Sequence, residues 1–128
     1  MICGIGIDII EIERVQRMLE RYGSRLLHRA FGPSEIAALH RKQCPAPHYA
    51  GRLAAKEAVM KALGTGWGQG VGWRQIEILN AESGAPVVHL SGRAAERLAE
   101  LGGTRLLVSI SHSQHYAVAQ AIIEGETP

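Results

Sequence analysis

The chain holds a single aspartate, Asp8, against eleven glutamates, and three lysines against eleven arginines. It has only two cysteines, Cys3 and Cys44. They form no Cys-x-x-Cys pair, which argues against a metal clip or a redox dithiol, and two unpaired thiols fit a reducing cytoplasm. No apolar run approaches the ~20 residues of a membrane-spanning helix. The N-terminal apolar run lacks a basic leader and is interrupted by Asp8, so no secretory signal is expected. There is no repeat of roughly 20–50 residues and no low-complexity tract. A net charge of +2 is too small for a bulk nucleic-acid binder.

What remains is ordinary globular material: 128 residues, 46% hydrophobic and 20% charged. That length predicts one domain spanning residues 1–128, able to bury about two thirds of its unfolded surface without disulfides or a structural metal. The charge is uneven. Residues 1–61 carry ten basic and six acidic groups, and residues 62–128 four basic and six acidic.

Residues 2–10 alternate Ile with small or polar residues and read as a strand. From Glu13 the period lengthens: Val15, Met18, Leu19, Tyr22 and Leu26 recur every three or four residues, as in a helix. Gly23-Ser24 bends or restarts it, with Ser24 as a new N-cap, and Phe31-Gly32-Pro33 ends it. A short helix is expected from Ser34 to Lys42, then a loop through Cys44-Pro45-Ala46-Pro47. His48–Leu63 is the strongest helical segment, with Gly64 at its C-terminal cap. Five glycines among residues 64–72 predict a loop. Arg74–Leu79 and Pro86–Leu90 read as strands joined by a hairpin turn at 80–84. Ser91 caps a helix through Leu101, and two strands, Arg105–Ser111 and Tyr116–Ile123, close the chain. This order predicts an α+β domain with a small, mostly antiparallel sheet packed with helices.

Five features could carry chemistry. Asp8 sits in Ile5-Gly6-Ile7-Asp8-Ile9-Ile10; an isolated carboxylate cannot be buried there, so it faces solvent, pairs with a cation or holds a metal. Glu57 and Lys61 share a helix face, either as a solvated salt bridge or as a metal-binding carboxylate with a phosphate-seeking ammonium one turn on. Arg52 and Lys56 form a second basic pair nearby. The glycine loop lacks the Lys-Ser/Thr ending of a P-loop and is either a flexible cradle near phosphate or a linker. Ser109-Ile110-Ser111-His112-Ser113 ends a strand; adjacent strand residues face opposite ways, so Ser111 cannot use His112 as its base, and an anion-binding strand end or a polar turn remains. Finally, Arg14, Arg17, Arg21, Arg25 and Arg29 line one helical stripe with only Glu20 inside the span. That is either a solvated face or a dock for an acidic surface.

Gly4-Ile5-Gly6-Ile7-Asp8-Ile9, Phe31-x-x-x-Glu35, Arg52-Leu53-Ala54-Ala55-Lys56-Glu57-Ala58-x-x-Lys61-Ala62, Gly64-Thr65-Gly66 and Val108-Ser109-Ile110-Ser111-His112-Ser113 together resemble the 4′-phosphopantetheinyl transferases, specifically their short single-domain type that acts on acyl carrier protein. The resemblance runs from residue 2 to about residue 123. It implies transfer of the 4′-phosphopantetheine arm of coenzyme A to a serine of apo acyl carrier protein in fatty acid synthesis, Mg2+ dependence, and a homotrimer with active sites between subunits. On that reading Asp8 and Glu57 bind Mg2+. Glu57, directly or through a water on the metal, takes the serine proton, and Lys61 neutralises phosphoryl charge. Arg52, Lys61, Gly64, Gly66, Ser111, His112 and Ser113 contact coenzyme A. Arg14, Arg17, Arg21 and Arg25 dock the acidic carrier, and Gln120 meets its copies in the trimer or faces water at a sheet edge. Carriers of polyketide or peptide synthesis are an alternative acceptor. A non-catalytic basic-helix module for acidic protein or RNA is an alternative function, one that leaves Asp8, Glu57, Lys61 and His112 unexplained.

Overall fold

A computed structural model describes residues 1–66 and 68–126. Trp67 of the glycine loop, with Thr127 and Pro128, lies outside the described residues. The elements run β1 (Ile2–Glu11), α1 (Ile12–Tyr22), α2 (Ser24–Ala30), α3 (Pro33–His40), α4 (Pro45–Leu63), a single 3-10 turn at Trp73–Gln75, β2 (Ile76–Asn80), β3 (Pro86–Leu90), α5 (Gly92–Glu100), β4 (Gly103–His112) and β5 (Tyr116–Gly125). The α+β class is as expected, but the strands divide into two antiparallel sheets, a three-stranded one ordered β1-β5-β4 and a two-stranded β2-β3 hairpin.

Helix α4 is the axis of the domain. Most of its residues are buried on every side, among them Ala54, Ala55, Ala58, Val59, Met60 and Leu63. It starts at Pro45, three residues earlier than the loop reading placed it. Pro45 and Pro47 both fall in the first turn, where no backbone N–H has an intrahelical partner to lose. Gly64 ends it in the left-handed region at φ +74°, and Arg97 Nε of α5 donates to the Leu63 carbonyl at 2.9 Å. Ser24 does not cap α2: Gly23, at φ +54°, holds the N-cap position, and no side chain caps the helix. Ser91 likewise gives no side-chain cap to α5. Gln75 Oε1 instead accepts from the Ala94 N–H at 2.9 Å.

The sheet meets α4 through its smallest residues. Side chains at Gly4 and Gly6 would fall on the Ala62 and Ala58 carbonyl oxygens, and β5 presents buried Ala117, Ala119 and Ala121 to the same helix. Close packing of this kind leaves no room for branched side chains. Ile5, Ile7 and Ile9 of β1 therefore point the other way and are 58–63% exposed, while Ile10, beyond the glycines, packs against the core. Facing residues in the ladders line up across this outer side as Ile5–Ile122–Leu107, Ile7–Gln120–Ser109 and Ile9–Val118–Ser111. Gln120 lies on the central strand of the sheet, so the edge position considered for it is excluded.

Candidate functional site

Along the inner face of β1, Gly4 lies beneath Ala62, and Gly6 beneath Ala58 and beside Lys61. Two strand residues advance ~6.6 Å and one helical turn ~5.4 Å, so strand and helix run in step. The next residue on this face, Asp8, comes level with the turn that holds Glu57. Lys61 closes the junction: its Nζ donates to the Ile7 carbonyl at 2.9 Å and to Asp8 Oδ1 at 3.1 Å. The Asp8 side chain is 19% exposed and that of Lys61 53%. Lys61 thus reaches across to β1, and the solvated Glu57–Lys61 bridge is replaced by an Asp8–Lys61 pair. Asp8 resolves as neither outward-facing nor uncompensated.

Glu57 has another partner. Trp73 Nε1 donates to Glu57 Oε1 at 3.0 Å, a bond between residues 16 apart that no local pattern signals. Among the described residues no third His, Cys, Asp or Glu joins these two carboxylates. Two hard oxygen donors without a softer ligand suit Mg2+, which takes its remaining oxygens from water and substrate phosphate. They do not suit a zinc site, which needs three or four protein ligands.

Lys56 is not half of a surface basic pair with Arg52. It is wholly buried, and its Nζ donates to Glu35 Oε1 at 2.8 Å, the Ala30 carbonyl at 2.8 Å and the Trp73 carbonyl at 3.1 Å. Glu35, 1% exposed, also accepts from the Gly32 N–H at 2.9 Å and the Ile78 N–H at 3.1 Å. Burial pushes the Lys56 ammonium below the usual lysine range, and Glu35 opposes that shift. The charges are fully hydrogen-bonded, as a buried pair must be. Together they fix the 3-10 turn that carries Trp73.

Arg52 points elsewhere. Its Nη2 donates to Asn80 Oδ1 at 2.6 Å, and it lines a cleft with His48, Asn80, Pro86 and His112. His48 and His112 meet edge to face at 5.8 Å. Burial first, then the charges of Lys42, His112 and Arg52, hold the His48 imidazole below its ordinary 6.5. This cleft is rich in donors and cationic, and it suits a phosphate. His48 was missed in the sequence, where it read only as the start of a helix.

The remaining expected residues are divided between surfaces. Gly64 and Gly66 follow the C-terminus of α4, both with positive φ. His112 is on the inner face of the sheet, opposite Ala117, whereas Ser111 is on the outer face beside Val118 and Ile9. The two therefore do not converge on one ligand within a single chain. Ser113 lies in the turn between β4 and β5, its N–H donating to the Tyr116 carbonyl at 2.9 Å. The arginine stripe is exposed but broken by Gly23, with Arg14, Arg17 and Arg21 on α1 and Arg25 and Arg29 on α2. Arg25 and Arg29 border a groove of about 470 Å³ floored by Met18, Tyr22, Leu26 and Trp73. No helix of the described residues is long and apolar enough to cross a membrane.

Residues 4–121 match the model of the 4′-phosphopantetheinyl transferase superfamily. The holo-[acyl-carrier-protein] synthase of Protochlamydia amoebophila is 52% identical over 123 residues, covering 95% of this chain and 98% of that protein. Among solved structures, the Bacillus anthracis holo-(acyl-carrier-protein) synthase in complex with CoA (3′,5′-ADP) superposes with a TM-score of 0.81 at 36% identity, covering 98% of this chain and 99% of that one. The Helicobacter pylori holo-[acyl-carrier-protein] synthase in complex with coenzyme A gives 0.82 at 33% identity, covering 94% and 99%.

Proposed function

The chain belongs to the 4′-phosphopantetheinyl transferase superfamily, and from that premise we propose how its residues divide the work. The reaction is transfer of the 4′-phosphopantetheine moiety of coenzyme A to a serine of apo acyl carrier protein, releasing adenosine 3′,5′-bisphosphate. The observation that carries the assignment of roles is the junction of β1 and α4, where Lys61, one turn along α4 from Glu57, pairs with Asp8 at 3.1 Å against a strand with no side chain at Gly4 or Gly6.

Phosphoryl transfer is mostly positioning and neutralisation of oxygen charge. Asp8 and Glu57 would hold Mg2+, which when bound supplies positive charge to the pyrophosphate oxygens. Glu57, directly or through water, accepts the proton of the attacking serine hydroxyl. Lys61, already desolvated on one side by β1, shifts from Asp8 toward the transferred phosphoryl oxygens. Arg52 and His112 bind a phosphate of coenzyme A in the cleft they share, and Gly64, Gly66 and Ser113 border its path. Arg14, Arg17, Arg21 and Arg25 dock the acidic carrier, with the Met18–Tyr22 groove receiving an apolar side chain.

The outer sheet face supports a homotrimer. Ile5, Ile7, Ile9 and Leu107 are exposed on this face, a contiguous apolar strip of the kind that marks an interaction surface, and Gln120 stands at its centre where symmetry-related amides can satisfy one another. Ser111 lies on that face, so it reaches coenzyme A only across a subunit boundary. The protein works in the cytoplasm. Incubation with coenzyme A, Mg2+ and apo carrier, with and without chelator, tests the reading: the carrier should gain the mass of the phosphopantetheine arm only without chelator. No gain with carriers of fatty acid, polyketide or peptide synthesis refutes it.

A further inference from the structure

Trp73 occupies two places at once. Its indole Nε1 donates to Glu57 Oε1 at 3.0 Å, and its ring walls the groove beside Met18, Tyr22, Arg25 and Arg29. Its backbone is anchored from behind, because the carbonyl accepts from the buried Lys56 ammonium at 3.1 Å, which Glu35 holds at 2.8 Å. The Gly72 and Ile76 positions flanking its 3-10 turn are extended, so the turn is a short rigid step between the glycine loop and β2.

We propose that Trp73 is a positioning residue that aims the Glu57 carboxylate while forming a wall of the carrier groove, so that carrier docking and carboxylate orientation share one side chain. The inference rests on the assignment of Glu57 and the groove made above. A bond to Oε1 removes one rotational freedom of the carboxylate. Partners of this kind, one step removed from the metal, commonly change metal affinity by about 10- to 100-fold. The ring itself supplies contact area to the groove independently of the N–H, so the two roles separate by substitution.

Trp73→Phe keeps the ring and deletes the donor. It should weaken Mn2+ binding in the absence of substrates, read by electron paramagnetic resonance, by about tenfold or more. It should also lower kcat about tenfold, equivalent to ~1.4 kcal/mol, with the carrier KM within about twofold of the parent. Trp73→Ala removes ring and donor, and should add a severalfold rise in carrier KM. Thermal melts of both variants control for folding. The inference is overturned when Trp73→Phe binds Mn2+ and turns over like the parent, or when it raises carrier KM as much as Trp73→Ala. A parent chain that takes up no Mn2+ defeats the metal assignment instead; the split between kcat and KM then still decides the role of Trp73.

Discussion

Replacing Lys56 by Met should be among the most damaging single changes outside the reacting groups. Lys56 Nζ makes three hydrogen bonds of 2.8–3.1 Å in a site with no solvent access. Methionine fills most of the volume but supplies no donor. Glu35 would keep two backbone N–H partners and lose the ammonium paired with it at 2.8 Å. Removing one partner of a buried ion pair costs about 3–5 kcal/mol. For a domain of this size the unfolding entropy is roughly 0.27 kcal/mol/K, so the melting temperature should fall by about 11–19 °C. The double variant Glu35→Leu/Lys56→Met removes both charges and should recover most of the loss. Calorimetry and urea unfolding, run at one protein concentration, measure this directly. A drop below about 3 °C for the single variant refutes the argument, as does a double variant less stable than the single.

Asp8→Ala should lower turnover at least about 100-fold at any Mg2+ concentration, because an oxygen ligand and the partner of Lys61 are lost together; carrier mass gain over time reads this. Arg14→Glu should raise the carrier KM on the order of tenfold, leave the coenzyme A KM unchanged and flatten the salt dependence, since exposed charge contacts are screened. His48 has its folded pKa held below the ordinary 6.5, so between those two values the unfolded chain binds more protons. Stability should therefore rise with pH through that window and be lost on acidification below about 6.5. Urea midpoints at several pH values should show a shallower acid loss for His48→Phe. On the proposed trimer, Gln120→Glu would bring like charges together at the centre of the apolar sheet face, and sedimentation should show a shift toward monomer; an unshifted assembly counts against that role for Gln120.

Element order was largely legible because it rests on local signals: the Ile alternation of β1, the Ala-rich run of α4 with Gly64 behind it, and the turn at residues 80–84. The polarity of β1 was not. Alternation tells which residues share a face, but the buried face here is the one with glycines and Asp8, because α4 approaches too closely for isoleucine. An outward-facing Asp8 was a sound reading of the pattern and wrong for the fold. Lys56 failed for a different reason. Its partner Glu35 is 21 residues away, and only the tertiary fold brings α3 against α4. Motif resemblance singles out Asp8, Glu57 and Lys61, of which the fold pairs Asp8 with Lys61, whereas Trp73 and His48 carry no local signal of their contacts.

The sheet that presents Asp8 is assembled around its latest strand. β1 and β4 pair only through β5, which comes last among the described elements. Asp8 stands opposite Ala119 in that ladder, more than a hundred residues later. At synthesis rates of about 5–20 residues per second, roughly 6–22 s pass between the translation of the two. Throughout that interval β1 is an unpaired strand rich in isoleucine, open to mispairing on both edges. The three-stranded sheet therefore cannot be completed until β5 is made, and cells that slow translation near the end of the message should yield more aggregate and less active protein.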